Sequence, residues 1–174
     1  IYLKNSSPTS IINWFEKNPP LGGLGKIKLA EAFLEQGKTA EVEKLIKDGW
    51  VNAEIRKNDL GYYRAKFKKF LTTEDHLKRA DYLAWEKKYW DLKRMLKYLP
   101  RDERALYNAR QILMSNSYGV DNAISKVPVH LKNDPGLEFD RLRWRNRRGR
   151  LESSLEVLYK NSNKTERQMI RPDL

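Results

Sequence analysis

The sequence predicts an all-α protein, a right-wound superhelical solenoid of helix–turn–helix repeats that forms an arc or part of a ring. Three observations predict it. Apolar residues recur at helical spacing through nearly every segment, no stretch alternates with period 2, and a glycine-led unit returns along the chain. The unit reads GKTAEVEKLI from Gly37, GVDNAISKVP from Gly119 and GRLESSLEVL from Gly149. KYWDLKRMLKYLP from Lys88 has the same shape without the glycine. Each reads as a shorter second helix that follows a longer first one across a tight turn. Gly119 and Gly149 lie 30 residues apart, a spacing suited to stacked repeats of the tetratricopeptide kind. The 82-position separation of Gly37 and Gly119 leaves room for one degenerate unit and an inserted helix.

The elements follow in order. Ser10 or Thr9 is placed to cap a short helix carrying Ile11, Ile12, Trp14 and Phe15, which Pro19 and Pro20 stop. After Gly22 and Gly23 comes a helix with Leu24, Ile27, Leu29, Ala30, Phe33 and Leu34, ended by Gly37. Thr39 is the expected cap of the next, with Val42, Leu45 and Ile46 on one face. A further helix is expected over Ala53 to Phe70. Thr73 is expected to cap one carrying Leu77, Ala80, Leu83, Ala84 and Trp85. Helices then run from Trp90 to Leu99, closed by Pro100, and from Arg101 to Met114, with Ala105, Leu106, Ala109, Ile112 and Leu113 as the apolar stripe. Val120 to Val127 is short and ended by Pro128. Pro135 opens a helix reaching Arg148, where its missing N–H costs nothing, and Gly149 breaks it. Leu151 to Tyr159 is the last expected helix.

Composition bounds the function. The 174 residues are 40% hydrophobic and include Trp14, Trp50, Trp85, Trp90 and Trp144, enough to fold despite 33% charged residues. A single helical domain over residues 1–174 is expected. The chain begins at Ile1 rather than Met, which reads as a trimmed segment of a longer protein, so a missing signal peptide says nothing about export. No run of about 18 apolar residues occurs, so no spanning helix is expected. Cysteine is absent, which removes disulfides, thiolate metal sites and thiol nucleophiles together. The net charge of +12 attracts polyanions: nucleic acid, an acidic wall polymer or anionic lipid.

Catalytic constellations are thin, and no catalytic residue, metal or cofactor is expected. His76 and His130 are the only histidines, and neither has partners at metal-ligand spacing. Within TTEDHLKRAD, His76 reads as a solvated surface residue. PPLGGLGK lacks the preceding strand and the spacing of a phosphate loop. The densest charge lies in RLRWRNRRGR, from Arg141 to Arg150. At about 100° per residue, Leu137, Arg141, Trp144 and Arg148 share one face, while Phe139, Leu142 and Asn146 share the other. Two readings follow. Trp144 packs in the core while the arginines reach outward, or Arg141, Trp144 and Arg148 line a concave surface. In the second, the indole stacks on a sugar or base and the guanidiniums grip an anion.

Taken in order, these segments resemble the helical domain of soluble lytic murein transglycosylases of the alphaproteobacterial type. The stretches that carry the resemblance are NWFEKNPPLGGLGKIKLAEAFLEQGKTAEVEKLIKDGW, FLTTEDHLKRADYLAWEKKYWDLKRMLKYLP and DPGLEFDRLRWRNRRGRLESSLEVL. Together they span most of the chain, from about Trp14 to Leu158. The resemblance implies a ring or horseshoe of helices attached to a lysozyme-like domain, lying C-terminal, that cleaves peptidoglycan to a 1,6-anhydro sugar. That domain's acid is a Glu followed by Ser, then by a glycine and a Leu-Met-Gln stretch. Here Glu152-Ser153 is followed by Ser154-Leu155-Glu156, so the match is to the helical part only, and the pair reads as a solvated helix face. The implied role is a periplasmic, non-catalytic scaffold that meets glycan strands, wall peptides or cell-wall proteins. A protein-binding adaptor of the tetratricopeptide kind is the alternative. Nucleic acid is disfavoured, because acidic residues are interspersed almost everywhere outside Arg141 to Arg150.

Overall fold

The computed structural model describes residues 6–115 and 118–149, which are helical with no strand among them. The helix from Leu151 to Tyr159 and the Glu152-Ser153 pair lie outside the described residues. The chain divides between Leu83 and Ala84 into two compact units.

The first unit opens with α1, Pro8–Lys17. Its cap is Ser7, whose Oγ accepts from the Ser10 N–H at 3.2 Å, rather than Thr9 or Ser10. Pro8 is the reason: its fixed φ suits the first helical turn, so the helix starts there. Ile11, Ile12 and Phe15 of α1 pack with Leu29 and Ala32 of α2, Gly23–Glu35. Gly37 follows at φ +74°, and the chain re-enters helix as α3, Thr39–Asn52. The Lys38 N–H donates to Phe33 O at 3.0 Å and the Gly37 N–H to Leu34 O at 3.1 Å, which closes the end of α2 as a Schellman turn. Thr39 is therefore the first helical residue and not a cap; the cap position falls on Lys38, whose side chain makes no capping bond.

α2 and α3 meet at two glycines. A Cβ on Gly49 would lie 2.8 Å from Gly23 O, and one on Gly23 would lie 2.6 Å from both Gly49 O and the Ala53 nitrogen. Only bare backbone allows that approach.

The expected helix from Ala53 to Phe70 is shorter. α3 continues to Asn52, Ala53 turns to extended backbone, and α4 spans Lys57–Lys66. Ala53 and Ile55 are buried while Glu54 and Arg56 are exposed, so this link packs like a strand one residue in two. α5, Thr73–Trp85, is capped by Thr72 and not Thr73. The Thr72 N–H donates to Asp75 Oδ2 at 2.8 Å, and the Asp75 N–H returns to Thr72 Oγ1 at 3.3 Å. That reciprocal pair is a capping box, with aspartate in the acidic position.

In the second unit α6, Tyr89–Met95, runs into a 3-10 turn at Leu96–Tyr98, and α7 spans Arg101–Leu113. α8, Val120–Ser125, precedes a 3-10 turn at Val129–Leu131 and α9, Pro135–Arg147. Leu106, Ala109, Leu113, Val120, Ala123, Val127 and Leu137 form its core cluster.

The turn into α6 repeats the one into α3 without its glycine. Lys87 sits at φ +57°, its N–H donates to Ala84 O at 3.1 Å, and the Tyr89 N–H reaches Lys87 O at 2.9 Å. Lys38 and Lys88, each next in line, have φ/ψ of −86°/75° and −79°/71°. Gly149 ends α9 at φ +67° with the matching bond to Asn146 O, and Gly119 precedes α8 at φ +90°. A left-handed lysine carries a Cβ penalty that glycine lacks, partly offset by glycine's freedom when unfolded. Lys87→Gly is therefore expected to stabilise the chain by about 1 kcal/mol, and Gly37→Ala to destabilise it by about as much. Thermal melts of the two variants check this, and a lower Tm for Lys87→Gly contradicts it.

Candidate functional site

α9 carries the residues that the sequence singles out. Asp134 caps it, accepting from the Leu137 N–H at 2.8 Å. Its second turn is pressed against α7, because Gly136 lies on the Arg110 guanidinium and a Cβ there would overlap it. Arg110 is 1% exposed, its Nε donates to Asp140 Oδ2 at 2.9 Å, and its guanidinium lies 5.3 Å from the Trp85 ring centre and 5.6 Å from that of Tyr107. Burial pushes the Asp140 carboxyl above its usual value, and the attraction and hydrogen bond of Arg110 work against that rise. The pair is sealed between α7 and α9.

Of the three candidate ligand residues, two are brought together. Trp144 is half-buried against the core cluster, and the Arg148 guanidinium lies 5.5 Å from its ring centre. Arg141 is half-buried one turn earlier. Burial, then the like charge of Arg145, pulls its guanidinium below its ordinary value, while Glu138 and Asp121 oppose this. Phe139, on the other face, is 40% exposed and lies 5.3 Å from the Trp85 ring, with Arg143 over it at 5.4 Å.

A neighbouring stripe of the same helix forms a recess that sequence reasoning missed. Asp140, Arg143 and Arg147 recur at the i, i+3, i+7 spacing of one helix face, and with Lys87, Leu113 and Met114 they line a small recess of about 20 Å³. That spacing was readable. The approach of Lys87 from the turn before α6 was not. Arg147 donates to Leu113 O and so finishes the C-terminus of α7.

Two other polar clusters serve the fold. Glu31 accepts from Tyr62 at 2.6 Å and from Lys28 and Lys66 at 2.8 Å each, joining α2 to α4. Burial opposes its ionisation, but these three donors outweigh it and hold the carboxyl at about 2. His76 is buried with its ring 5.5 Å from that of Trp50, so the solvated position expected from its charged surroundings is not what forms. The sequence around His76 is charged, but its own helical position points inward beside Arg79 and Ala80, both buried. Burial, then the charge of Arg64, lowers its affinity for a proton.

These shifts set an acid sensitivity. Between its depressed native value and the ordinary 6.5, His76 binds more proton unfolded than folded, so stability falls as pH drops through that window. Glu31 acts likewise from 4.5 down towards about 2. Asp140 works in the opposite sense above 3.8, over a range set by its raised native value. Tm is therefore expected to decline below about pH 6.5, with a second decline below about 4.5. Glu31→Gln should lower Tm at neutral pH and flatten the second decline; an unaltered acid limb would refute the assignment.

Among the described residues no group of three or more histidines or carboxylates is placed to hold a metal ion, and no helix is long and apolar enough to cross a membrane. Exposed aromatic rings are present. Trp90 on α6 is 64% exposed, with Lys93 5.3 Å from its ring centre and Tyr89 edge-on at 5.0 Å. No family model, curated protein or solved structure matches the chain.

Proposed function

We propose that this chain is the superhelical, non-catalytic part of a soluble lytic murein transglycosylase. In this reading it is a periplasmic scaffold that binds or orients peptidoglycan for a lysozyme-like domain lying further along the parent protein. Stacking of its helix–turn–helix units into a solenoid belongs to the same proposal. The recurring left-handed turn residues at Gly37, Lys87 and Gly149 support that stacking.

The observation that carries the wall-binding role is Trp90. An indole with 64% of its surface open offers a flat apolar platform for a sugar ring, and Lys93 Nζ lies over that ring at 5.3 Å. Trp144 offers less, since it is half-buried against the core cluster, so Arg141, Trp144 and Arg148 contribute as secondary contacts. The +12 charge favours approach to a polymer that bears carboxylates.

The test is co-sedimentation of the folded chain with purified sacculi at about 0.15 M salt, near the ionic strength that screens exposed charges beyond about 8 Å. The chain is expected in the pellet, and Trp90→Ala should lower the bound fraction several-fold while its circular dichroism stays unchanged. Retention of the wild-type chain in the supernatant overturns the reading.

A further inference from the structure

We propose that the recess lined by Lys87, Arg143 and Arg147 is a binding site for a single oxyanion group, a carboxylate or a phosphate monoester. Three cationic side chains line a recess of about 20 Å³, room for about one water-sized group, so it receives an oxygen of an oxyanion and does not enclose a larger ligand. The carboxylate that shares the recess, Asp140, is already engaged by the buried Arg110, so it leaves the local balance positive.

The state of the three cations carries the inference further. Lys87 makes no hydrogen bond or ion pair with any described side chain, and it holds a left-handed backbone where the comparable turns at Gly37 and Gly149 place glycine. A strained, non-glycine residue in a turn marks a position where the side chain has a use. Arg143 lies over the Phe139 ring, which orients its guanidinium and leaves its N–H groups to a ligand. Arg147 spends a donor on Leu113 O, which covers the negative end of α7, and retains others. A carboxylate or phosphate seated here would complete the set with charge-assisted hydrogen bonds.

The site deepens the wall-scaffold reading by naming a ligand class, but it stands on its own geometry. If the chain fails to bind sacculi and still binds the small anions below, the scaffold role is lost and this site is kept.

The experiment is a titration of the ¹⁵N-labelled chain followed by NMR, with inorganic phosphate in one arm and acetyl-alanyl-alanine in the other. Saturable shifts are expected at Lys87 and at the Arg143 and Arg147 Nε–H groups. A response to both probes assigns a carboxylate-accepting site, and a response to phosphate alone assigns a phosphoryl one. Lys87→Gly should weaken binding about tenfold, the effect of one lost charge-assisted bond, while raising Tm. Arg143→Gln should weaken it as much. Because Lys87→Gly melts higher, its loss of binding is not a loss of fold. Overturning results are no saturable shift with either probe, shifts spread evenly over the basic surface, or wild-type affinity in Lys87→Gly.

Discussion

Asp140→Asn is expected to destabilise the second unit by leaving the buried Arg110 charge without its partner. The loss should fall below the about 3–5 kcal/mol usual for a broken buried pair, because burial already disfavours the charged carboxyl. Asparagine matches aspartate in shape, so no cavity opens; what changes is charge. Arg110 is 1% exposed and would keep its full charge between the rings of Trp85 and Tyr107, with no carboxylate to balance it. The rings offer a cation some compensation, on the order of 1–2 kcal/mol, which is less than the lost pair. Because the chain has two compact units, the readout should be local: amide exchange in α7 and α9 is expected to accelerate while α2 and α3 keep their protection. The double change Arg110→Met with Asp140→Leu should cost far less than the single one, since both charges leave together. Unchanged protection in α9 of Asp140→Asn would show that the pair contributes nothing.

Gly49→Ala is the second large effect, and its sign is decided by two opposed terms. Alanine is the better helix former by about 1 kcal/mol. Against that, its Cβ would stand 2.8 Å from Gly23 O and 2.9 Å from Lys26 Cβ, and the oxygen belongs to backbone that has no rotamer to yield. Forcing α2 and α3 apart disturbs a packed face that holds Ile27, Val42 and Ile46, each fully buried. Overpacking of this kind costs about 1–3 kcal/mol, and the rigid backbone oxygen puts the cost at the upper end, so a net loss of up to about 2 kcal/mol is expected. Chemical denaturation followed at the α2 and α3 amides checks it. Gly61→Ala is the control, because a Cβ there meets nothing within 4 Å, and it should stabilise. Equal stability of the two variants would remove the crossing from the account.

Much of the fold was legible. Helix periods, proline stops and the left-handed glycines are local signals, and each placed its element within a few residues. Caps slipped by one to three positions. Pro8 moved the first start to Ser7, and the box formed by Thr72 with Asp75 displaced Thr73. The over-long helix from Ala53 to Phe70 failed for a tertiary reason: Ala53 and Ile55 gain more by pointing inward from extended backbone than by joining a helix.

The site was less legible, because charge in a sequence reads as solvent exposure. Arg79, Arg110, Asp140 and His76 are all buried, each held by a partner far along the chain. Arg141, Trp144 and Arg148 stood out by density, whereas the neighbouring stripe of Asp140, Arg143 and Arg147 gains its meaning from Lys87, more than 50 residues away. The unit from Lys88 is legible without its glycine because its residues keep the pattern, whereas the left-handed turn at Lys87 before it is not.

The end of α3 is finished from a distance. Its terminal carbonyls, Trp50 O and Ala53 O, accept from the buried guanidinium of Arg79, which belongs to α5. A piece of the chain cut at Leu71 would retain all of α1 to α4 and still lack that clasp, so its third helix would fray from Asn52 backwards. The last turn of α3 therefore depends on a side chain that the covalent sequence supplies only at position 79.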